Sequence, residues 1–302
     1  MSTPANEVDK KLIVQLREKT SAGVLDCKKA LVESGGDIAL AVEWLRKKGL
    51  SKAAKVAAKV AAEGRIALRI GSDLKSGSIV EINCETDFVA KNDNFVAFCD
   101  KTISYVHEAS FNTIEEMREQ GCFSENVNSA IATMGEKIDI RRVAKLSETG
   151  GIVNGYLHSN AKVGVLVAVE TDCADLGGFV RDIAMHAAAM RPLYLDESAI
   201  PAAVIAKERE IAVEQLKKEG KPEAMLEKIV PGKIKKFIQE ATLAGQPFVK
   251  DDKKSVSQAL SDAATQRGCT ARLAGFVRFE VGEGIEKKSA SFADEVAQQI
   301  RR

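Results

Sequence analysis

A strand–loop–strand pattern that ends in Glu-Thr-Asp occurs twice in this sequence of 302 residues. In the first copy, apolar residues alternate along 66–70 and again along 80–84, and a turn-rich loop separates the two runs. Residues 150–172 repeat this order, and a helical apolar pattern follows each copy. Alternation with a period of two predicts strands, whereas a spacing of three to four residues predicts helices. The chain is therefore predicted to have an α+β fold, with two related subdomains that contain antiparallel sheets and share one core.

The first fifty residues have the spacing of three short helices. Apolar residues repeat every four positions along 8–16, and a second apolar stripe runs along 24–32. Asp37 is a suitable N-cap for a third helix, which Gly49 is predicted to end. The alanine- and lysine-rich stretch at 52–63 predicts a helical tether. Its lysines either form a solvated helix face or contact RNA or an acidic partner.

A charge-rich segment with a thin apolar seam follows the second repeat. It predicts two antiparallel helices that protrude as a hairpin, with Pro231-Gly232 kinking or splitting the second arm. We expect a loop at 245–255, a strand at 274–284 that completes the second sheet, and a short C-terminal helix at 291–302. The predicted organisation is a three-helix N-terminal domain at 1–51, a tether at 52–63, a first core subdomain at 64–146, a second at 147–197 and 255–285, a helical hairpin insertion at 198–254, and a C-terminal segment at 286–302.

Composition narrows the class of protein. The formal net charge of +1 argues against nucleic acid as the main partner, although residues 1–62 are more basic than the remainder. No apolar run approaches the roughly 20 residues that a membrane helix needs, and the N-terminus has no secretory pattern. The six cysteines form no C-x-x-C pair, which predicts reduced thiols and no zinc site. We expect a cytoplasmic protein.

Motifs for covalent chemistry are missing from the sequence. It contains no phosphate-binding loop of the G-x-x-x-x-G-K-[ST] type, no G-x-G-x-x-G, no H-E-x-x-H and no G-x-S-x-G. Cys84 stands beside acidic residues, which would raise the pKa of its thiol and weaken it as a nucleophile. His107 and His186 read as a surface and a core or interface residue, whereas His158 is predicted at an exposed loop tip as a candidate contact residue. We expect a protein that is not an enzyme and that binds no metal or cofactor.

The corner after the second predicted strand admits two interpretations. In the first interpretation, Thr86 or Asp87 caps the following helix, and Phe88 folds back as a hydrophobic staple. Alternatively, Phe88 has a special task at the surface. The second repeat carries Cys173 at the matching position, so the subdomain can be built without the aromatic ring.

Two motifs resemble signatures of the bacterial translation elongation factor Ts family. LREKTSAGVLDCKKAL at 16–31 is similar to its N-terminal signature, and EINCETDFVAK at 81–91 is similar to its central one. GQPFV at 245 and GFVRFEVGEGIEK at 275 resemble its C-terminal region. The resemblance implies a ubiquitin-associated-like N-terminal domain, a two-part core and a protruding helical hairpin. It also implies a guanine-nucleotide exchange factor that binds elongation factor Tu.

The resemblance further implies where the partner is contacted. In the family, the aromatic residue of the corner wedges between helices near the phosphate and magnesium site of elongation factor Tu. Many relatives carry Met where this chain has Val24 and Leu25. The matching positions are Thr86, Asp87, Phe88 and Val89 at the corner, Arg17, Val24, Leu25 and Lys28 in the N-terminal domain, and His158, Pro247, Phe248 and Val249 in the second subdomain and C-terminal region. The hairpin could form a homodimer or a two-to-two complex. A non-catalytic protein-binding module, of the ubiquitin-associated-like or ribosome-associated kind, is the alternative.

Overall fold

The computed structural model describes residues 8–20, 22–109, 111, 113–119 and 123–286 of the chain. The predicted C-terminal helix at 291–302 lies outside these residues. Three N-terminal helices are present, as predicted, and they enclose a small core around Leu16, Cys27 and Leu31. Their bounds are α1 Lys10–Thr20, α2 Val24–Glu33 and α3 Ile38–Val56.

The first core subdomain is an antiparallel sheet with helices packed on one face. Its elements are β1 Glu63–Ile70, β2 Ser76–Cys84, α4 Asp87–Ala90, α5 Asp93–Glu108, α6 Ile114–Glu119, α7 Ser124–Met134 and β3 Ile138–Ser147. The strand order is β1-β2-β3, so β2 is central. The pair β1–β2 is the predicted one, and β3 was not predicted. Phe95 and Phe98 of α5 pack against Val80 and Ile82 of β2.

The second core subdomain repeats this plan with a long insertion before its last strand. Its elements are β4 Gly151–Leu157, β5 Val163–Thr171, α8 Gly177–Met190, α9 Ala202–Lys218, α10 Glu223–Ala241, β6 Pro247–Phe248, β7 Asp251–Ser255, α11 Val256–Thr265 and β8 Ala271–Glu280. The strand order is β4-β5-β8, which confirms that a C-terminal strand completes this sheet. Helices α8 and α11 supply buried residues to the core on one of its faces.

The two sheets pack against each other through their remaining faces. Ile66 and Ile79 of the first sheet meet Leu166 and Phe279 of the second in a small buried cluster. Because side chains alternate along β2, Val80 and Ile82 point instead towards the helices on the outer side. The layers are therefore helices, sheet, sheet and helices. The prediction of one shared core was wrong in this respect: each sheet has its own core, and a smaller cluster joins them.

A buried carboxylate also links the two sheets. Glu81 is fully buried, and its oxygens accept hydrogen bonds from Arg141 Nη1 at 3.1 Å and Arg142 Nε at 2.5 Å. The backbone N–H of Gly282, just after β8, donates to the same carboxylate at 2.8 Å. Arg142 also pairs with the carboxylate of Glu283 at 3.2 Å. The buried ion pairs of the first sheet thus hold the residues that follow β8, the last strand of the second sheet.

The insertion contains an antiparallel helical hairpin. Helices α9 and α10 are joined by residues 219–222 and share an apolar cluster around Leu216, Leu226 and Ile234. α10 continues through Pro231, so the second arm is not split there, and the alternative of a kink at this position stays a prediction. The predicted loop at 245–255 contains the short paired strands β6 and β7. Within the described ranges, every helix is too short or too polar to span a bilayer.

Helix α3 continues through Gly49, which was predicted to end it. A Cβ atom at Gly49 would lie 3.3 Å from Ala132 Cβ and 3.3 Å from the carbonyl oxygen of Asn128 in α7. Glycine is therefore placed here for the close approach of two helices, and not to stop one. The helical part of the predicted tether ends at Val56, and residues 57–62 are not helical. The domain boundaries themselves stay predictions.

Candidate functional site

The corner at residues 85–88 joins the end of β2 to the start of α4. Thr86 is the N-cap of this short helix, since its Oγ1 accepts a hydrogen bond from the backbone N–H of Val89 at 3.3 Å. Of the two candidate caps, Thr86 is thus confirmed. The side chain of Val89 is half-buried and packs on the core of the first subdomain.

Two acidic residues brace the corner against distant parts of the chain. The Glu136 carboxylate accepts from the Thr86 backbone N–H at 3.0 Å and from its hydroxyl at 2.7 Å. The Glu85 carboxylate accepts from the backbone N–H of Lys137 at 2.7 Å and pairs with Lys59 at 2.9 Å. The turn between α7 and β3 therefore fixes the backbone of the corner.

Phe88 projects from this braced corner and is 82% exposed. The hydrophobic-staple interpretation was therefore wrong. Beside it, the Asp87 carboxylate pairs with Lys91 at 2.7 Å, and this hydrogen bond lowers the pKa of Asp87. Asp87 is consequently ionised at neutral pH. The corner presents an apolar ring and a negative charge side by side at the surface.

The second repeat builds its corner differently and without the ring: no side chain caps the short turn at 174–176, whereas Thr86 caps α4. Thr171 Oγ1 donates to the carbonyl oxygen of Thr270 at 2.7 Å, and the Thr270 N–H donates to Asp172 Oδ1 at 3.2 Å. These bonds hold the second corner to the start of β8, as Glu136 holds the first near the start of β3. Phe88 thus projects from the first corner, whereas Cys173 packs partly buried against the core of the second subdomain.

The N-terminal domain displays the other predicted contact residues at the start of α2. Leu25 is 82% exposed and Val24 is 50% exposed. Arg17 and Lys28 are also exposed, so two cationic side chains belong to the same small domain. Because the three-helix core is closed beneath these residues, their exposure does not serve the stability of the domain.

His158 lies at an exposed loop tip between β4 and β5, where the sequence places it. Its Nδ1 lies 2.9 Å from Asn160 Oδ1. The ring also meets Tyr156 edge-on, with 6.3 Å between the ring centroids. The imidazole is thus held at the surface by Asn160 in the same loop and by Tyr156 near the end of β4.

The segment at 247–249 differs from its prediction. Pro247 and Val249 are exposed, but Phe248 is buried, with its ring 5.4 Å from that of Phe179 and 5.9 Å from that of His186. The prediction that Phe248 offers an exposed contact to a partner is therefore corrected. In the free chain, this side chain anchors the segment in the core of the second subdomain.

His186 accepts a hydrogen bond from the backbone of this segment, a role that the sequence did not reveal. The Val249 N–H donates to His186 Nδ1 at 3.2 Å, so the ring N–H is on Nε2 and donates to Gln246 Oε1 at 3.0 Å. Burial lowers the pKa of His186, which keeps the ring neutral.

Among the braces of the first corner, only Lys91 has a local signal in the sequence, its spacing of four residues from Asp87.

The described residues contain no cluster of His, Cys, Asp and Glu side chains that could hold a metal ion. What the geometry offers is a set of exposed apolar and charged side chains on braced supports. Such surfaces suit recognition of another macromolecule.

Comparison with known proteins identifies the family. The family model described as elongation factor TS matches residues 85–283. An elongation factor Ts from a Nitratiruptor species is 51% identical over 298 residues, covering 96% of this chain and 98% of the relative. Those from Nautilia profundicola and Methylococcus capsulatus are 50% and 47% identical, covering 95% and 96% of this chain and 96% and 97% of the relatives. The chain belongs to the elongation factor Ts family.

Proposed function

We propose that this chain is the guanine-nucleotide exchange factor of elongation factor Tu in translation elongation, and that the corner at 85–88 acts on the partner. Membership of the family supports the partner and the activity. The observation that carries the role of the corner is the 82% exposure of Phe88 on a backbone braced by Glu136. We expect the chain to act in the cytoplasm, where translation takes place.

Exchange of this kind requires no covalent step on the chain. A protein that binds nucleotide-free elongation factor Tu more tightly than the GDP-bound form weakens GDP binding by the same factor, because the two equilibria are linked. A negative charge beside an apolar ring suits this task, since Asp87 would disfavour phosphate nearby while Phe88 fills an apolar space. The proposed activity therefore needs no active site for bond chemistry.

The exposure of Phe88 sets the size of its contribution. Burying a Phe side chain that was exposed contributes roughly 1.5–3 kcal/mol. Since about 1.4 kcal/mol corresponds to a factor of ten, a pocket present only in the nucleotide-free partner gives roughly a ten- to hundredfold weakening of GDP binding from this ring. The remainder would come from the wider interface.

The other exposed residues are proposed as auxiliary contacts. Leu25 and Val24 offer apolar area, and Arg17 and Lys28 offer positive charge, on the surface of the N-terminal domain. In the second subdomain, His158 is proposed with Pro247 and Val249. These contacts would increase the affinity for the partner, whether or not nucleotide is bound.

Self-association through α9 and α10 is a separate proposal, which light scattering of the free chain tests.

Stopped-flow release of a fluorescent GDP analogue from elongation factor Tu tests the proposal. Phe88→Ala is expected to slow catalysed release by roughly ten- to hundredfold. Its thermal stability should stay close to that of the wild type, because the ring makes little contact with its own chain. Leu193→Ala is the matched control, since Leu193 is 71% exposed at a site given no role, and it should release GDP at the wild-type rate.

Two results would contradict the proposal in different ways. An unaltered release rate for Phe88→Ala would remove the corner from the mechanism. No acceleration of release by the wild-type chain would remove the exchange activity, and binding that depends only on Leu25 would then favour the alternative of a protein-binding module.

A further inference from the structure

Two cysteines lie opposite each other at the edge of the second subdomain. Strands β5 and β8 are antiparallel, with Thr171 paired to Ala271. Continuing this register by two residues on each strand places Cys173 opposite Cys269. The backbone of Cys173 is extended, with φ −107° and ψ 107°, as this continuation requires. Directly opposed residues of antiparallel strands have Cα atoms about 4.5–5.5 Å apart, within the range of about 4.4–6.8 Å found in disulfides.

Hydrogen bonds hold the two segments in this register beyond the end of the strands. Thr270, which precedes Ala271, accepts from the Thr171 hydroxyl at 2.7 Å and donates to Asp172 Oδ1 at 3.2 Å. The residues between the paired strands and the two cysteines are thus already bonded to each other. The cysteines have little freedom to move apart.

The two side chains also share one side of the pairing. Cys173 and Cys269 both pack, partly buried, against the same apolar cluster of the second subdomain. Burial raises the pKa of the Cys269 thiol, and a hydrogen bond between the Cys269 and Cys173 side chains adds to this rise because it favours the protonated Cys269. Opposed positions, a common side and direct contact are the requirements for a cross-strand disulfide.

Other described cysteines are less accessible. Cys27 is buried in the N-terminal domain, and Cys84 and Cys99 are buried in the core of the first subdomain. Among the cysteines that the structure describes, Cys173 and Cys269 are the two with partial exposure. Of the five cysteines that the structure describes, this pair is therefore the one that a small oxidant in solution reaches most easily.

We propose that Cys173 and Cys269 are a redox-modification site that closes to an intramolecular disulfide when the chain meets a low-molecular-weight disulfide. Cys173 makes the first attack, because the raised pKa of Cys269 weakens that residue as a nucleophile. Its thiolate attacks the small disulfide, forms a mixed disulfide and releases one small thiolate. The other cysteine thiolate then attacks the protein sulfur, forms the bond between residues 173 and 269 and releases the second small thiolate. Two protein thiols are oxidised, one small disulfide is reduced to two thiols, and the two protein protons go to solvent or to the released thiolates.

The crosslink would staple the start of β8 to the end of β5. It would close a loop that contains α8, the helical hairpin and α11. Closing a long loop restricts the unfolded chain more than the folded one, so the second subdomain should resist heating better. For a loop of this length we expect the melting temperature of the oxidised chain to rise by about 5–10 °C.

The full-length chain treated with glutathione disulfide provides the test. After alkylation of the remaining thiols, digestion without reductant should yield one crosslinked peptide that contains Cys173 and Cys269. Cys173→Ser and Cys269→Ser should each abolish this peptide and the rise in melting temperature, whereas Cys27→Ser should retain both.

Mapping of the unaltered chain decides the question even where a variant folds poorly. A crosslink to any other cysteine, a stable glutathione adduct at Cys173 or Cys269, or complete alkylation of both residues would each overturn the proposal. These results are independent of GDP release, so the proposed exchange activity is neither supported nor damaged by them.

Discussion

Replacing Glu81 by Gln should destabilise the junction of the two sheets. The Glu81 side chain is fully buried, and both of its oxygens accept hydrogen bonds from arginines of β3. A third donor, the N–H of Gly282, comes from the end of the second sheet. Gln removes the negative charge and puts an NH₂ group where an acceptor is needed, so at least one donor loses its partner.

The size of the effect follows from the burial of the three side chains. Breaking a buried ion pair by removing one partner costs about 3–5 kcal/mol. Arg141 and Arg142 are 26% and 28% exposed, so water can solvate part of their charge. Arg142 also retains its pair with Glu283. We therefore expect a loss near the lower end, about 2–4 kcal/mol, from a total that is typically about 5–15 kcal/mol.

Urea unfolding followed by circular dichroism measures this loss. Glu283→Gln is the control, because Glu283 pairs with the same Arg142 but its side chain is 49% exposed. Exposed pairs contribute up to about 1 kcal/mol, so the control should change the free energy of unfolding by no more than that. If Glu81→Gln loses no more than Glu283→Gln, the reasoning about the buried carboxylate is refuted.

Three further predictions concern other parts of the chain. Burial lowers the pKa of His186 below the ordinary 6.5, so the neutral ring contributes to stability above pH 6.5 and this contribution is lost as the pH falls towards the folded-state pKa. In urea titrations over this pH range, the wild type should lose stability more steeply than His186→Gln. Gly49→Val should cost about 1–3 kcal/mol in the same assay by forcing α3 away from α7, whereas Gly178→Ala, with open space around it, should not destabilise. Glu136→Gln should loosen the corner and accelerate hydrogen exchange of the Thr86 amide by roughly tenfold, and an unaltered rate would show that this carboxylate is not a brace.

The sequence predicts the elements whose pattern is local. The three N-terminal helices, the pair β1–β2, the helical hairpin and β8 each have a continuous apolar period. β3 was not predicted because Arg141, Arg142 and Lys145 interrupt its alternation. The first two can be half-buried because Glu81, about 60 positions earlier, and Glu283, just after β8, supply partners for their guanidinium groups. Local patterns do not contain such long-range pairing.

The same limit applies to Gly49 and to the candidate site. A glycine near the end of a short helix suggests a stop, and only the position of α7 shows that it serves a close contact. At the corner, the sequence identifies Asp87 and Phe88 but leaves a capping and a functional interpretation open. The exposure of the ring excludes the hydrophobic staple, Thr86 nevertheless caps the helix, and the functional role of Phe88 stays a proposal. The bracing by Glu136 has no local signal. Phe248 shows the reverse error, since a resemblance predicts a contact where the fold places an anchor.

The strand order β4-β5-β8 has a consequence for biogenesis. All three strands of the first sheet lie within residues 63–147, so that subdomain can fold while the ribosome is still translating the rest. β5 must wait for a partner near the far end of the polypeptide, since Thr171 pairs with Ala271. During that interval one edge of β5 has unsatisfied backbone groups and is open to wrong pairing. The nascent chain is thus most vulnerable to aggregation after α8 has emerged and before β8 arrives.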